Sequence, residues 1–204
     1  MICSRRRLLG LGGAMAGMAA VSGWAGESYV RGMKRIDNSG VRPAGAREPV
    51  RAGTGAGAKL ISLKNLHTGE ELETEFFRGG YIGDSFAAIA VLLRDFRNGE
   101  QHAIDPKLMD YLFDVAQQLG VDPVFSVISG YRSPQTNALL HERSSGVARH
   151  SMHLEGRAID VRIAGVDCAH LAGRALDLTR GGVGYYRASD FVHLDTGAFR
   201  TWKG

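Results

Sequence analysis

The segment Ser151-Met152-His153-Leu154-Glu155-Gly156-Arg157-Ala158-Ile159-Asp160-Val161-Arg162-Ile163 changes character at its glycine. Before Gly156 it is a polar approach containing a histidine. After it, RAIDVRI alternates as a strand does. His153 and Asp160 therefore flank a turn at which the chain folds back and brings both side chains toward one point. Further on, Phe191-Val192-His193-Leu194-Asp195 reads as a second strand, and its period of two puts His193 and Asp195 on the same face.

The flanking segments supply the layers around these strands. LISLKNLHTGEELETEFF alternates on both sides of a turn with Gly69 and predicts a β-hairpin. Asp84 or Ser85 can cap a helix over FAAIAVLLRDFR. Asp105-Pro106 opens a second through LMDYLFDVAQQLG, ended by Gly120. PVFSVISG reads as a short buried strand, Ser133-Pro134 starts a third helix over QTNALLHER, HLAGRALDL is helical, and GVGYY pairs with FVHLDT. The class expected is α+β, a small and mostly antiparallel sheet with helices packed on it.

The 204 residues, 44% of them apolar, correspond to one domain with appendages. A core of that size closes without metal or disulfide, so a metal here serves function rather than folding. The net charge of +4 is unevenly placed. Residues 1–25 carry +3, residues 26–58 another +3, and residues 59–204 carry −2. The basic excess sits outside the folded part, which removes the signal for nucleic-acid binding. Of the two cysteines, Cys3 lies in the leader, and Cys168 is expected as a small buried residue in a helix.

Ser4-Arg5-Arg6-Arg7-Leu8-Leu9, followed by GLGGAMAGMAAVSG and Trp24-Ala25, has the order of a signal peptide, expected to be cut near Ala25. Its apolar run is too short and glycine-rich for a membrane span; an uncut basic anchor is the alternative. The Ser-Arg-Arg-x-Leu-Leu order is similar to a twin-arginine export signal, which implies a periplasmic protein moved in folded form. Residues 26–58, rich in Gly, Ala, Arg and Pro without apolar periodicity, are expected to form a solvated tether, and 59–204 the folded domain.

Two imidazoles and one carboxylate suit a divalent zinc with a fourth position left for water. Singly, a His seven residues before an Asp, or a His on a strand, is common and most often structural. In combination, Ser151, His153, Gly156, Ala158 and Asp160 followed by His193 resemble the S-x-H-x-x-G-x-A-x-D pattern and later strand histidine of the zinc peptidases grouped with D-Ala-D-Ala carboxypeptidases and the hedgehog signalling domain. Ser129-Gly130-Tyr131-Arg132-Ser133 is similar to that family's arginine motif. Leu63 to Glu70 and Gly181 to Tyr186 resemble the twin-arginine-exported murein endopeptidases within it. The resemblance runs over about 59–204.

The resemblance implies a zinc peptidase acting on peptidoglycan peptide stems, with one Zn2+ held by His153, Asp160 and His193. It further implies Arg132 on the substrate carbonyl or its developing oxyanion, and Ser151 on the substrate backbone or as a cap of the turn. For the general base, the position three residues before the second histidine is Asp190, whereas the H-x-D pair offers Asp195. Strand geometry favours Asp195, because Asp190 needs a bulge or turn to reach the metal. His67 is expected to be structural to the first hairpin, His102 and His170 to lie on the surface, and His141 and His150 to flank the approach to the motif. A monomer is expected.

Three other readings use the same residues. A carboxypeptidase removing terminal D-Ala would use the same metal and water. A zinc-containing wall-binding module would need neither Arg132 nor an acid beside His193. A non-haem iron oxygenase also uses two His and a carboxylate, but there H-x-D usually comes first; here His193 is the last histidine of the chain.

Overall fold

The computed structural model describes residues 57–143 and 147–204. The expected signal peptide and most of the expected tether lie outside the described residues. The chain enters a hairpin, β1 (Ala58–Asn65) and β2 (Glu71–Arg78), through a turn in which Gly69 takes φ 76°. Helix α1 (Gly83–Leu92) and helix α2 (Pro106–Leu119) lead into β3 (Val124–Ser129) and then α3 (Pro134–Arg143). A single 3-10 turn (Met152–Glu155) precedes β4 (Ala158–Arg162) and α4 (Cys168–Asp177). Strands β5 (Gly182–Tyr186), β6 (Phe191–Asp195) and β7 (Arg200–Lys203) follow.

The seven strands form one sheet in the order β2-β1-β3-β4-β6-β5-β7. The pairs β1–β3 and β5–β7 are parallel and the other four antiparallel, the mostly antiparallel α+β arrangement expected. Strand β7 was not anticipated: RTWK is too short and too polar to show periodicity.

Strand alternation gives the centre of this sheet two unlike faces. Ile159, Val161, Val183, Val192 and Leu194 point into the core with Leu108, Leu112 and Val115 of α2 and Leu171 and Ala175 of α4. The Tyr111 hydroxyl donates to the Ala175 carbonyl at 2.9 Å and joins the two helices. The opposite face carries Asp160, His193, Asp195, Gly184 and Trp202, positions aligned across β4, β6, β5 and β7.

Helix α2 starts and stops where its residues require. Asp105 accepts from the Lys107 amide at 3.0 Å, Pro106 opens the first turn, and Gly120 closes it at φ 66°. Helix α1 departs from expectation. Ile82 is its N-cap, without a side-chain cap, because the Ser85 hydroxyl donates to the Glu75 carbonyl at 2.7 Å instead. The helix ends at Leu92 rather than near Arg97 because Asp95 turns inward. Asp95, fully buried, accepts from the Ser133 amide at 3.0 Å and the Ser133 hydroxyl at 2.8 Å. That pairing fixes the start of α3, whose buried residues are the polar Thr136 and Asn137. Cys168 is buried within α4, as expected of a small apolar residue, and burial, the larger cause, together with Asp190 pushes its thiol up to about 12.

Core packing beneath the polar face predicts a sharp contrast. Leu171→Ala empties a fully buried site between α4 and the sheet and is expected to cost about 2–5 kcal/mol. Leu139→Ala, on the exposed side of α3, is expected to stay within about 0.5 kcal/mol of the parent. Urea unfolding followed by circular dichroism measures both.

Candidate metal centre

Register on the polar face places the first two groups. Asp160 is the antiparallel partner of His193, so carboxylate and imidazole stand side by side on adjacent strands. The third group arrives from the 3-10 turn. Ser151 caps that turn, its Oγ accepting from the His153 amide at 3.4 Å, and Gly156 ends it at φ 64°. A side chain at Gly156 would run into the Ala103 carbonyl, so both the left-handed backbone and the close approach call for glycine. The Arg132 amide donates to the His153 carbonyl at 3.1 Å, tying the turn to the Gly130–Ser133 loop.

The three side chains meet. His193 Nδ1 lies 2.9 Å from Asp160 Oδ1, His153 Nε2 lies 3.2 Å from His193 Nδ1, and His153 Nε2 lies 3.3 Å from Asp160 Oδ1. Each ring has its remaining nitrogen engaged by an acceptor. His153 Nδ1 donates to the Gly130 carbonyl at 2.7 Å, and His193 Nε2 donates to Asp195 Oδ2 at 3.0 Å. Carbonyl and carboxylate can only accept, so the facing nitrogens turn lone pairs toward Asp160. Three electron-rich atoms at this spacing, in a site where all three residues are under a tenth exposed, repel unless a cation lies among them. Metal–ligand bonds of about 2.0–2.1 Å in a tetrahedron give an edge of about 3.3–3.4 Å. The observed sides of 2.9–3.3 Å therefore fit a small divalent metal, and among the described residues this is the group of His, Cys, Asp and Glu side chains that could hold one.

The electrostatics agree. Burial pushes the His153 imidazole below the ordinary value, which favours the neutral form a metal ligand needs, although Asp160 pulls the other way. Burial opposes charge on Asp160 too, but the two histidines outweigh it and hold the carboxyl far below the usual range. Burial also opposes a charge on His193. The hydrogen bonds to Asp160 and Asp195 outweigh it and raise this imidazole above 6.5. The attraction that draws a proton to His193 is the one a metal cation would satisfy.

Asp195 lies across the His193 ring from Nδ1. It is fully buried, and its oxygens accept from Arg200 Nη1 at 3.0 Å, Arg200 Nη2 at 2.6 Å, the Gly182 amide at 3.1 Å and the Gly197 amide at 2.8 Å. Asp190 does sit at a turn, with φ 52°, but its carboxylate is exposed and pairs with Arg162 at 3.3 Å. Neither acid expected as a general base thus presents an oxygen to the three-atom cluster.

Arg132 is buried. Its Nη1 donates to Asn137 Oδ1 at 3.3 Å, while its Nε is buried without a hydrogen-bond partner among the described residues. Asn137 in turn donates to the Ala148 and Arg149 carbonyls at 3.1 and 3.2 Å, spanning the ends of the approach to the 3-10 turn. The remaining histidines stand apart from the cluster: His67 stacks on Phe96, His102 on Tyr131, His141 hydrogen-bonds Val147 and Arg149, His150 is exposed, and His170 contacts Arg174 within α4. Arg200, Asn137 and Trp202 escaped sequence reading. The one available signal was Arg200-x-Trp202 placed just after the H-x-D pair.

The family model described as peptidoglycan L,D-endopeptidase MepK matches residues 54–202. Peptidoglycan L,D-endopeptidase MepK of Escherichia coli (strain K12) is 43% identical over 145 residues, covering 71% of this chain and 80% of that protein. The probable peptidoglycan L,D-endopeptidase MepK of Haemophilus influenzae is 41% identical over 148 residues, 72% of this chain and 80% of its own. No solved structure matches the chain significantly. With a model spanning most of its length and relatives above 40% identity, the chain belongs to the MepK family of peptidoglycan endopeptidases, a group of peptidase hydrolases.

Proposed function

We propose that this chain is a zinc-dependent endopeptidase of the periplasm that hydrolyses L,D peptide cross-links of peptidoglycan, with the metal held by His153 Nε2, Asp160 Oδ1 and His193 Nδ1. The observation that carries the metal assignment is the convergence of two lone-pair nitrogens and a carboxylate oxygen within 3.3 Å of one another. The L,D linkage is taken from the named activity of the relatives. When bound there, zinc supplies a water of lowered pKa and a Lewis acid for the peptide carbonyl.

The protein's own groups do the rest. Arg132 brings a buried guanidinium with an unused Nε donor, and a fixed cation beside the carbonyl oxygen counts most as negative charge develops on that atom. Hydrolysis joins the water oxygen to the carbonyl carbon and breaks the C–N bond, and both protons of the water end on the leaving amine, giving a carboxylate and an ammonium group. Asp195 acts as a positioning residue: it holds His193 in the tautomer that presents Nδ1, while Arg200 and two backbone amides hold Asp195. Ser151 serves as the cap of the 3-10 turn. Residues 1–25 act as a signal of the twin-arginine type and 26–58 as a tether to a folded, monomeric domain beginning near residue 59. Among the described residues no helix is long and apolar enough to cross a membrane.

The deciding experiment incubates the zinc-loaded chain with purified cross-linked muropeptides and weighs the products. Dimers are expected to become monomers by cleavage at the L,D linkage, and a chelator is expected to stop the reaction until zinc is restored. Loss of terminal D-Ala alone would mean a carboxypeptidase, and no change would leave a binding module. Metal affinity is expected to depend on pH in a stated sense. Because His193 is raised above 6.5, protons begin to compete with metal before the pH has fallen to that value, and affinity drops further below it; competition with a chromogenic chelator between pH 5.5 and 8 measures this. Asp195→Asn is expected to weaken zinc binding by about 10–100-fold while the domain stays folded. Asp190→Asn, on the exposed side of the turn, is expected to leave zinc affinity within about twofold.

A further inference from the structure

On the polar face, the strand positions beside His193 carry an aromatic group that the zinc-peptidase reading leaves without a task. Trp202 is aligned with Gly184, and Gly184 with His193. The indole lies over the bare glycine, where an added Cβ would stand 2.5 Å from Trp202 Cε2, and its ring centre is 5.2 Å from that of His193. Tyr186, paired with Phe191 on β6, stacks on the Phe191 ring at 4.5 Å and 15°. Trp202 Nε1 donates to the Tyr186 hydroxyl oxygen at 2.9 Å. The Gly204 backbone lies against the other part of the Tyr186 ring, too close for any side chain there.

The phenol is thus held by a stack, a hydrogen bond and a stretch of backbone. Its own hydrogen has a different fate. An indole N–H is a donor only and cannot accept it. Among the described residues no acceptor takes it. Burial, first, and the Asp160 carboxylate raise the Tyr186 pKa, against the Trp202 hydrogen bond and the Arg132 charge, so the hydroxyl keeps its proton at neutral pH. Tyr186 stands on the polar face of β5, two positions along from Gly184, the partner of His193, and its hydroxyl is 2.9 Å from Trp202 Nε1, whose ring lies beside His193.

We propose that Tyr186 is a catalytic residue whose hydroxyl donates a hydrogen bond to the carbonyl oxygen of the scissile peptide, sharing with Arg132 the negative charge that develops there. Trp202 is the positioning residue that aims it. No bond to Tyr186 forms or breaks: water oxygen bonds to the carbonyl carbon, the C–N bond breaks, both protons of the water end on the leaving amine, and the phenol keeps its own. A neutral, prealigned donor in a partly desolvated site carries no reorganisation cost at the moment of reaction. The proposal rests on the hydrolase reading given above, and its test separates the two.

Tyr186→Phe retains the ring, its stack on Phe191 and the packing of Gly204, and removes one hydroxyl. In the full chain loaded with zinc, kcat on cross-linked muropeptides is expected to fall by about 10²-fold, the size seen when one oxyanion donor is removed. KM should stay within twofold and zinc content should be unchanged, while loss of the Trp202 hydrogen bond lowers the melting temperature by only a few degrees. Trp202→Phe, which leaves the hydroxyl but frees it, is expected to lower kcat by roughly tenfold, between the parent and Tyr186→Phe. Binding of a phosphinate pseudopeptide of the cross-link, whose tetrahedral oxygens imitate the charged state, is measured by calorimetry and is expected to weaken at least tenfold in Tyr186→Phe. A Tyr186→Phe variant with kcat within twofold of the parent overturns the proposal, as does a rate loss matched by lost zinc. If the parent cleaves no muropeptide, the hydrolase reading fails by itself. The phosphinate then decides: tenfold weaker binding upholds the Tyr186 contact, and equal binding, or none to the parent, ends it.

Discussion

Two imidazole lone pairs and a carboxylate oxygen face one another across 2.9–3.3 Å in a site almost closed to solvent. Such an arrangement is unfavourable by itself, since three electron-rich atoms have been taken from water and pointed at each other. It persists because each group is held from behind. The Gly130 carbonyl turns His153, Asp195 turns His193, and Asp160 is set by its strand register opposite His193. A cation at the centre reverses the sign of the interaction, and the pull that raises the affinity of His193 for protons is the same pull exerted on a metal.

The sheet makes this possible by separating two tasks across one thickness of backbone. Alternation along β4 and β6 sends Ile159, Val161, Val192 and Leu194 to the helices and Asp160, His193 and Asp195 to the other side. Burial on the apolar side stabilises strands that would otherwise gain little from carrying charge on the polar one. The cost of the buried Asp195 is offset by the neighbouring arginine and two amides, an arrangement that joins β6 to β5 and β7. Arg132 belongs to a second network. Asp95 fixes Ser133, Ser133 starts α3, and Asn137 on that helix reaches both Arg132 and the backbone leading to His153. The chain as a whole belongs to a family of peptidoglycan endopeptidases.

Local chemistry made much of this readable from residue order. The α2 boundaries follow from Asp105, Pro106 and Gly120, whose conformational preferences act within one turn. The hairpin at Gly69, the strands at 158–162 and 191–195 and the approach of His153 to Asp160 follow from period-two alternation and a turn glycine, whereas the joining of His193 to them was implied by the family resemblance. Helix α1 was read too long because its end is set by Asp95 bonding to Ser133, 38 residues away, and no local pattern records such a partner.

Sequence alone determined which residue types flank the Gly156 turn and share a strand face, because turn chemistry and strand period are properties of the residues and their spacing, and the family pattern added His193 to them. Only the tertiary structure decided what each neighbour does. Asp195 is the acid that strand period puts beside His193, and counting along the strand does place it on the correct face. Its direction across the His193 ring, toward Arg200, depends on how β6, β5 and β7 pack. Trp202 comes to the site by the same packing, since a strand of four residues has too little pattern to announce its partner and takes its register from the sheet it joins.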